Sequence, residues 1–388
     1  MRIAMLILVG LTACGGAVEP ALPAADQLVE DADRFLEDRR YRRDALEASL
    51  WRPELPYAST RLQAYGLEAG GWDALPASVG LDLVPEQTPT SRHEWEALGE
   101  RVFWELPMRW DGYLAWVAQR PDLWDELGFQ TDERGALRGV VTFTDTRGVQ
   151  RTGVTCGACH GAGGVAGRPN RELDLGRARA LFLAERGLPT APFDGWGPGR
   201  VDVTDDGVDD PLTYPYLFGL GQQRHMNRSA AIDIDGNPAA VAIRFETQYI
   251  EGHSFGGRPD RRLPLALAIF VLSLGADVPQ PDMTAPDAAV FARSCGGCHA
   301  PDQGLSGGLV PAELLTSDPV AAASAKRGTG YYKVPSLLGQ ADGGPYLHNG
   351  GAASFADLLD AGHPLGQTLN PGDRAAVLRF LSTLRSQP

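Results

Sequence analysis

A five-residue pattern, Cys-x-x-Cys-His, occurs twice in this chain, as Cys156-Gly-Ala-Cys159-His160 and as Cys295-Gly-Gly-Cys298-His299. Two thiols at this spacing can add across the two vinyl groups of one haem, and the histidine that follows them meets the iron from the proximal side. A reduced dithiol, a disulfide and a split zinc site are the other readings of such cysteines. A zinc site usually brings closer ligand pairs or a His-x-His segment, and a redox dithiol a thioredoxin-like βαβ setting. Neither is visible. The expectation is therefore two covalently bound haem c groups, attached through Cys156, Cys159, Cys295 and Cys298, with His160 and His299 as proximal iron ligands. The chain must then wrap around these two fixed points.

Four of the five cysteines are used by the two motifs, and the fifth is Cys14. Arg2, the apolar run Ile3 to Leu11 and the small residues before Cys14 resemble a bacterial lipoprotein signal, in which Cys14 is lipidated and becomes the new N-terminus. The run is too short to cross a bilayer as a helix, so the membrane is reached only through the lipid. Gly15 resembles the sorting signal for the outer membrane. Residues 1–13 thus read as a signal peptide and 14–26, rich in Gly, Ala and Pro, as a tether. The expected location is the bacterial cell envelope, facing the periplasm, where haem is attached to c-type cytochromes.

The 388 residues are 43% hydrophobic and 22% charged, as in a soluble globular protein. A formal charge of −14 argues against a nucleic-acid surface and favours a redox partner protein that is not acidic. Apolar periodicity predicts helices over 27–50, from Ser91 onward, over 263–274, 287–293 and 373–384. The tryptophans Trp95, Trp104, Trp110, Trp116 and Trp124 read as core packing. Val140 to Val154 alternates around Asp145-Thr146-Arg147-Gly148, a β-hairpin pattern leading to Cys156. The Pro-rich stretch 278–286 marks a boundary between a haem domain at 27–280 and a cytochrome c domain at 281–388. The fold class expected is mainly α: two cytochrome c-like haem domains with long loops and one small hairpin before the first motif.

The two halves also repeat one another. Pro215-Tyr-Leu-Phe-Gly219, His225, Ala230-Ala231 and His253 follow the first motif, and Pro335-Ser-Leu-Leu-Gly339, His348, Ala352-Ala353 and His363 follow the second. On this match His225 answers to His348 and His253 to His363. The segment 332–339, with Gly344-Pro-Tyr-Leu-His-Asn-Gly-Gly-Ala-Ala-Ser-Phe-Ala-Asp-Leu-Leu, resembles the second haem domain of bacterial di-haem cytochrome c peroxidases. Their relatives include the enzymes that mature methylamine dehydrogenase and the rubber-oxygenase-like cytochromes. The resemblance is specific over 334–384, loose in the middle and absent from the first ninety residues. It implies one six-coordinate electron-transfer haem and a second able to offer iron to peroxide or dioxygen. The family's tryptophan between the motifs has no counterpart at 223–228, which leaves Trp196 as a candidate bridge, and Glu246 is the nearest candidate for its catalytic acid.

Axial ligation is constrained by the methionines, which are Met1, Met5, Met108, Met226 and Met283, so none follows the second motif. The resemblance and the repeat nominate His363 as the distal ligand of the second haem, with His348 in reserve. For the first haem they nominate His253, with His225 and Met226 as rivals. Asp202-Val-Thr-Asp205-Asp206-Gly207 resembles the start of a Ca²⁺ loop, with Asp202 and Asp206 as ligands, although Thr213 stands where an EF-hand places its glutamate. The function expected is electron transfer between two haems with peroxidase-like chemistry at the first. An electron-transfer lipoprotein without catalysis, or a sensor or accessory subunit of an envelope redox complex, is the alternative.

Overall fold

The computed structural model describes residues 24–52, 71–145, 147–202, 208–234, 237–254, 256–315, 318–324, 328–363 and 368–387. Cys14 and Asp206 lie outside these. The helices are α1 (Ala24–Glu30), α2 (Ala32–Glu37), α3 (Arg39–Ser49), α4 (Arg92–Glu105), α5 (Gly112–Ala118), α6 (Cys156–His160), α7 (Leu175–Ala184), α8 (Ala239–Gly252), α9 (Arg262–Ser273), α10 (Pro286–Cys295), α11 (Val320–Ala323), α12 (Phe355–Asp360) and α13 (Pro371–Ser382). Helix predominates and the sheets are small, as composition and periodicity require. No helix among the described residues is long and apolar enough to cross a membrane.

The single helix expected over 27–50 is three, because aspartates interrupt it. Asp38 is extended, and its Oδ1 accepts from the N–H groups of Arg40 and Tyr41, which starts α3 afresh. Helix α4 begins in a capping box between Ser91 and Glu94. The centre of the larger core is α9, whose Leu263, Leu265, Leu267 and Ile269 are sealed from solvent. Helices α4 and α8 pack on it. The approach of α4 is close enough that a Cβ on Gly99 would stand 2.1 Å from the Ala266 carbonyl oxygen.

The expected hairpin is β3 (Val140–Thr144) against β4 (Gln150–Val154), joined to β2 (Arg109–Trp110) in a three-stranded antiparallel sheet. Asp145 Oδ1 accepts from the Arg147 and Val149 N–H groups and holds the turn. Trp95 is buried and Trp104, Trp116 and Trp124 pack against the cores as expected, whereas Trp110 lies under the Arg151 guanidinium, 4.1 Å from its ring centre.

The internal repeat is present in three dimensions, in a register of 120 residues that carries Pro215 onto Pro335. Gly219 and Gly339 adopt φ of 72° and 75°, and each opens a short 3-10 turn. Strand β5 (Arg200–Val201) pairs with β6 (Leu212–Thr213) as β10 (Leu309–Pro311) pairs with β11 (Tyr331–Lys333). Left-handed backbone recurs at Asn227 and Ala230, and at Leu347 and Gly350. Met226 pairs with Ile232 as Tyr346 pairs with Ala352. The units meet face to face along these segments with near two-fold reciprocity. Thr213 N–H donates to the His348 carbonyl at 2.8 Å, and Lys333 N–H to the Arg228 carbonyl at 3.0 Å. Phe218 fills the space beside Gly339, and Leu338 with Ser336 that beside Gly219, so a Cβ at either glycine would collide.

This register corrects the sequence match. The residue that answers to His348 is Arg228, and His225 falls three positions earlier.

Candidate functional site

The first motif forms α6. The hairpin delivers the chain to Thr155, whose N–H bonds the Gly139 carbonyl and whose Oγ1 caps the helix by accepting from Gly157 N–H at 3.2 Å. Trp104 of α4 lies against the helix. A Cβ at Gly157 or Gly161 would come within 2.2 Å of its ring, which explains glycine in the motif's variable position. Cys156 Sγ is 3.2 Å from Met108 Sδ. Tyr249 lies beside Cys156 and Tyr214 beside Cys159.

Burial pushes both thiols up to about 12, so the neutral form is favoured. No cation among the described residues offsets that burial. The four motif cysteines are unbridged. His160 Nδ1 lies 3.0 Å from the Pro215 carbonyl oxygen. A carbonyl only accepts, so Nδ1 carries the proton and Nε2 keeps a lone pair for a metal. Burial, helped by Arg171 and Arg228, pushes this imidazole down to about 4 and keeps it neutral.

The second motif begins at the last residue of α10, and the turn after it carries Cys298 and His299. His299 is held in the same tautomer, with Nδ1–H donating to the Leu305 carbonyl at 2.9 Å, and burial pushes it down to about 4. Cys295 is raised to about 11 by burial. The His363 ring lies across from His299, with centroids 6.3 Å apart and planes at 57°. Helix α12 ends just before it, and the His363 N–H bonds the Leu358 carbonyl.

The other expected residues are placed differently. His253 follows α8 as His363 follows α12, but its Nε2 bonds the Pro107 carbonyl at 2.7 Å and its ring packs 5.2 Å from Phe143. It makes no ring contact with His160. His225 lies edge-on to Trp51 at 5.5 Å, with Nε2 4.0 Å from Asp233 Oδ2. His348 stacks on Tyr332 at 4.1 Å and its Nε2 is 3.1 Å from the phenol oxygen. Met226 packs against the larger core.

Glu246 is wholly buried and ion-paired with Arg261, which also binds Asp73, itself paired with Arg42 at 3.1 Å. This network ties α8 to α3. Trp196 sits under α7 against Gly176 and Phe193, donating to Asp209 Oδ1 at 2.7 Å, so it packs a loop and touches neither motif. Asp202 is described without its proposed partner Asp206, and no cluster of three or more metal-ligating side chains occurs among the described residues.

The sequence reading missed Met108, Tyr214 and Tyr249 beside the cysteines. Met108 precedes the motif, where a search for following ligands does not look, and the tyrosines have no spacing signal. It also missed three cations, Arg171, Arg228 and Lys333, in the junction between the units.

No known protein family matches the chain, and no curated protein does. Among solved structures it is similar to hydrazine synthase of Kuenenia stuttgartiensis, in a structure pressurised with 20 bar xenon, at 14% identity and a TM-score of 0.36, over 78% of this chain and 95% of that one. A likeness at that level carries no argument about this chain's chemistry.

Proposed function

We propose that the chain is a di-haem c-type cytochrome in which the second motif serves as a six-coordinate electron-transfer centre and the first offers iron to peroxide or dioxygen. The observation that carries this reading is the pair His299 and His363, which has no counterpart at His160. These two imidazoles would hold the iron of the second haem, which would there supply one-electron exchange. The centroid separation here is 6.3 Å. The ring beside His160 is Tyr214, at 6.1 Å, and no histidine ring among the described residues packs on it.

Haem, when bound, supplies one-electron exchange and, where a coordination position is open, a place for an oxygen ligand. The chain's own residues do the rest. The Pro215 and Leu305 carbonyls fix the two histidine tautomers and raise their basicity. Trp104 and Tyr249 enclose the first attachment helix. His363 closes the second site. Lipid attached to Cys14 holds the protein in the cell envelope, and a charge of −14 suits a neutral or basic electron donor.

Mass and EPR spectra of the exported protein test the reading together. We expect two haems that survive denaturation, one low-spin and one high-spin in at least one redox state, and peroxide consumption when a reductant is present. A mass without haem refutes it. Two low-spin irons in both redox states, with no turnover, would replace it with an electron-transfer lipoprotein.

A further inference from the structure

Three cations in the junction between the units, Arg171, Arg228 and Lys333, make no ion pair among the described residues, whereas Arg168 nearby is paired with Asp342 at 3.0 Å. Arg228 donates from Nη2 to the Thr213 carbonyl and hydroxyl oxygens, both neutral, while its Nε is sealed from solvent without a partner. Arg171 has Nε and Nη1 in the same condition, and its guanidinium lies 5.4 Å from the Tyr216 ring centre. Lys333 Nζ meets only neutral groups, Gln223 Oε1 at 2.7 Å and the His225 carbonyl at 3.3 Å. Burial, with Arg171 second, pushes Arg228 down to about 9, and burial, with Arg228 second, pushes Lys333 down to about 7. Arg261, by contrast, is matched by Asp73 and Glu246. Cations withdrawn from water without a counter-charge are costly, so a site built this way is completed by an anion.

Two of the three cations, Arg171 and Arg228, lie on segments that touch the first motif. Arg171 follows Asn170, whose N–H bonds the Cys159 carbonyl at 2.8 Å, and Arg228 is bonded to Thr213, the neighbour of Tyr214, whose ring centre lies 6.1 Å from that of His160. Repeat symmetry gives the second unit no equivalent, since His348 stands in the place of Arg228 and Thr213 in that of Lys333. We infer that Arg171, Arg228 and Lys333 form the carboxylate-binding site for the propionates of the haem attached at Cys156 and Cys159, anchoring that group across the junction. This rests on the di-haem reading and adds to it an electrostatic difference between the two centres.

The test is a potentiometric titration of the two-haem protein and of Arg228→Gln, Lys333→Met and Arg228→Lys, each first checked by mass for two haems. Loss of a cation beside a propionate should lower the reduction potential of the first haem and leave the second where it was, with Arg228→Lys restoring most of the shift. Wild-type potentials should not respond to inorganic phosphate at constant ionic strength. A saturable phosphate effect that Arg228→Gln abolishes would assign the cluster to a free oxyanion and overturn the propionate assignment. Unchanged potentials in Arg228→Gln and Lys333→Met, with both haems present, would overturn it as well. A mass lacking the first haem would defeat the di-haem reading itself and this inference with it.

Discussion

At Cys156 the Cys-x-x-Cys-His run begins a capped helix, whereas at Cys295 it starts on the last residue of a longer one. Beyond each motif the chain returns to a shared scaffold, the same turns and strand pairs in a register of 120 residues. The contrast lies in what the scaffold carries. Helix α8 has 14 residues and α12 has six, so α8 extends about 12 Å further at about 1.5 Å per residue. His253 is thereby carried to Pro107 and Phe143, while His363 stops opposite His299. One duplicated frame gives the two motif histidines different surroundings because helix length decides where a side chain arrives.

The sharpest way to break the comparison is covalent. Cys159→Ala and Cys298→Ala should each lose or loosen one haem, and a different one, as read by mass and by the difference spectra of the pair. Equal spectra from both variants would end the claim that the sites differ. Next comes ligation. His363→Ala should turn the low-spin haem high-spin, whereas His253→Ala should leave both spin states as they were. A spin change on removing His253, or none on removing His363, reverses the assignment.

Smaller effects test the scaffold. Gly219→Ala and Gly339→Ala place a Cβ at positive φ and into Ser336 or Phe218, and each should cost about 2 kcal/mol in unfolding by denaturant. If only one of them matters, the junction is not reciprocal.

His348 supplies a pH dependence of similar size. Burial first, and Arg228 next, push it down to about 4, so the unfolded chain binds its proton near the ordinary value while the folded one refuses it. Its contribution is complete above about 6.5 and is lost as pH falls from there towards 4, by on the order of 2 kcal/mol. His348→Phe should flatten that acid limb, measured as stability against pH. The smallest effect expected is Thr155→Ala, about 1 kcal/mol from loss of the α6 cap, with no matching site at the second motif.

Much of this was legible in the residues. The hairpin at 140–154 announced itself through alternation and an Asp-to-Gly turn, α9 through an unbroken apolar run, and α13 through the apolar periodicity of 373–384, its start lying two residues earlier, at Pro371. His363 was reached through the repeat. The same repeat misled at His225, because matching histidine to histidine ignored the fixed distance from Gly219 and Gly339, and the backbone keeps that distance. Trp196 and Glu246 were read for chemistry and turned out to be packed, one under α7 and one in the Arg261 network, since neither spacing nor residue type reports what a side chain meets.

What the sequence alone determined is the two Cys-x-x-Cys-His runs and the doubling of the frame: a cysteine pair followed by histidine, and a Pro-to-Gly turn, are local patterns whose geometry is set within a few residues. Which histidine faces which motif, and why three cations gather in the junction between the units, was decided by tertiary structure. Those relations sum helix lengths, loop insertions and the reciprocal docking of two units over more than a hundred residues, and no local rule adds them up.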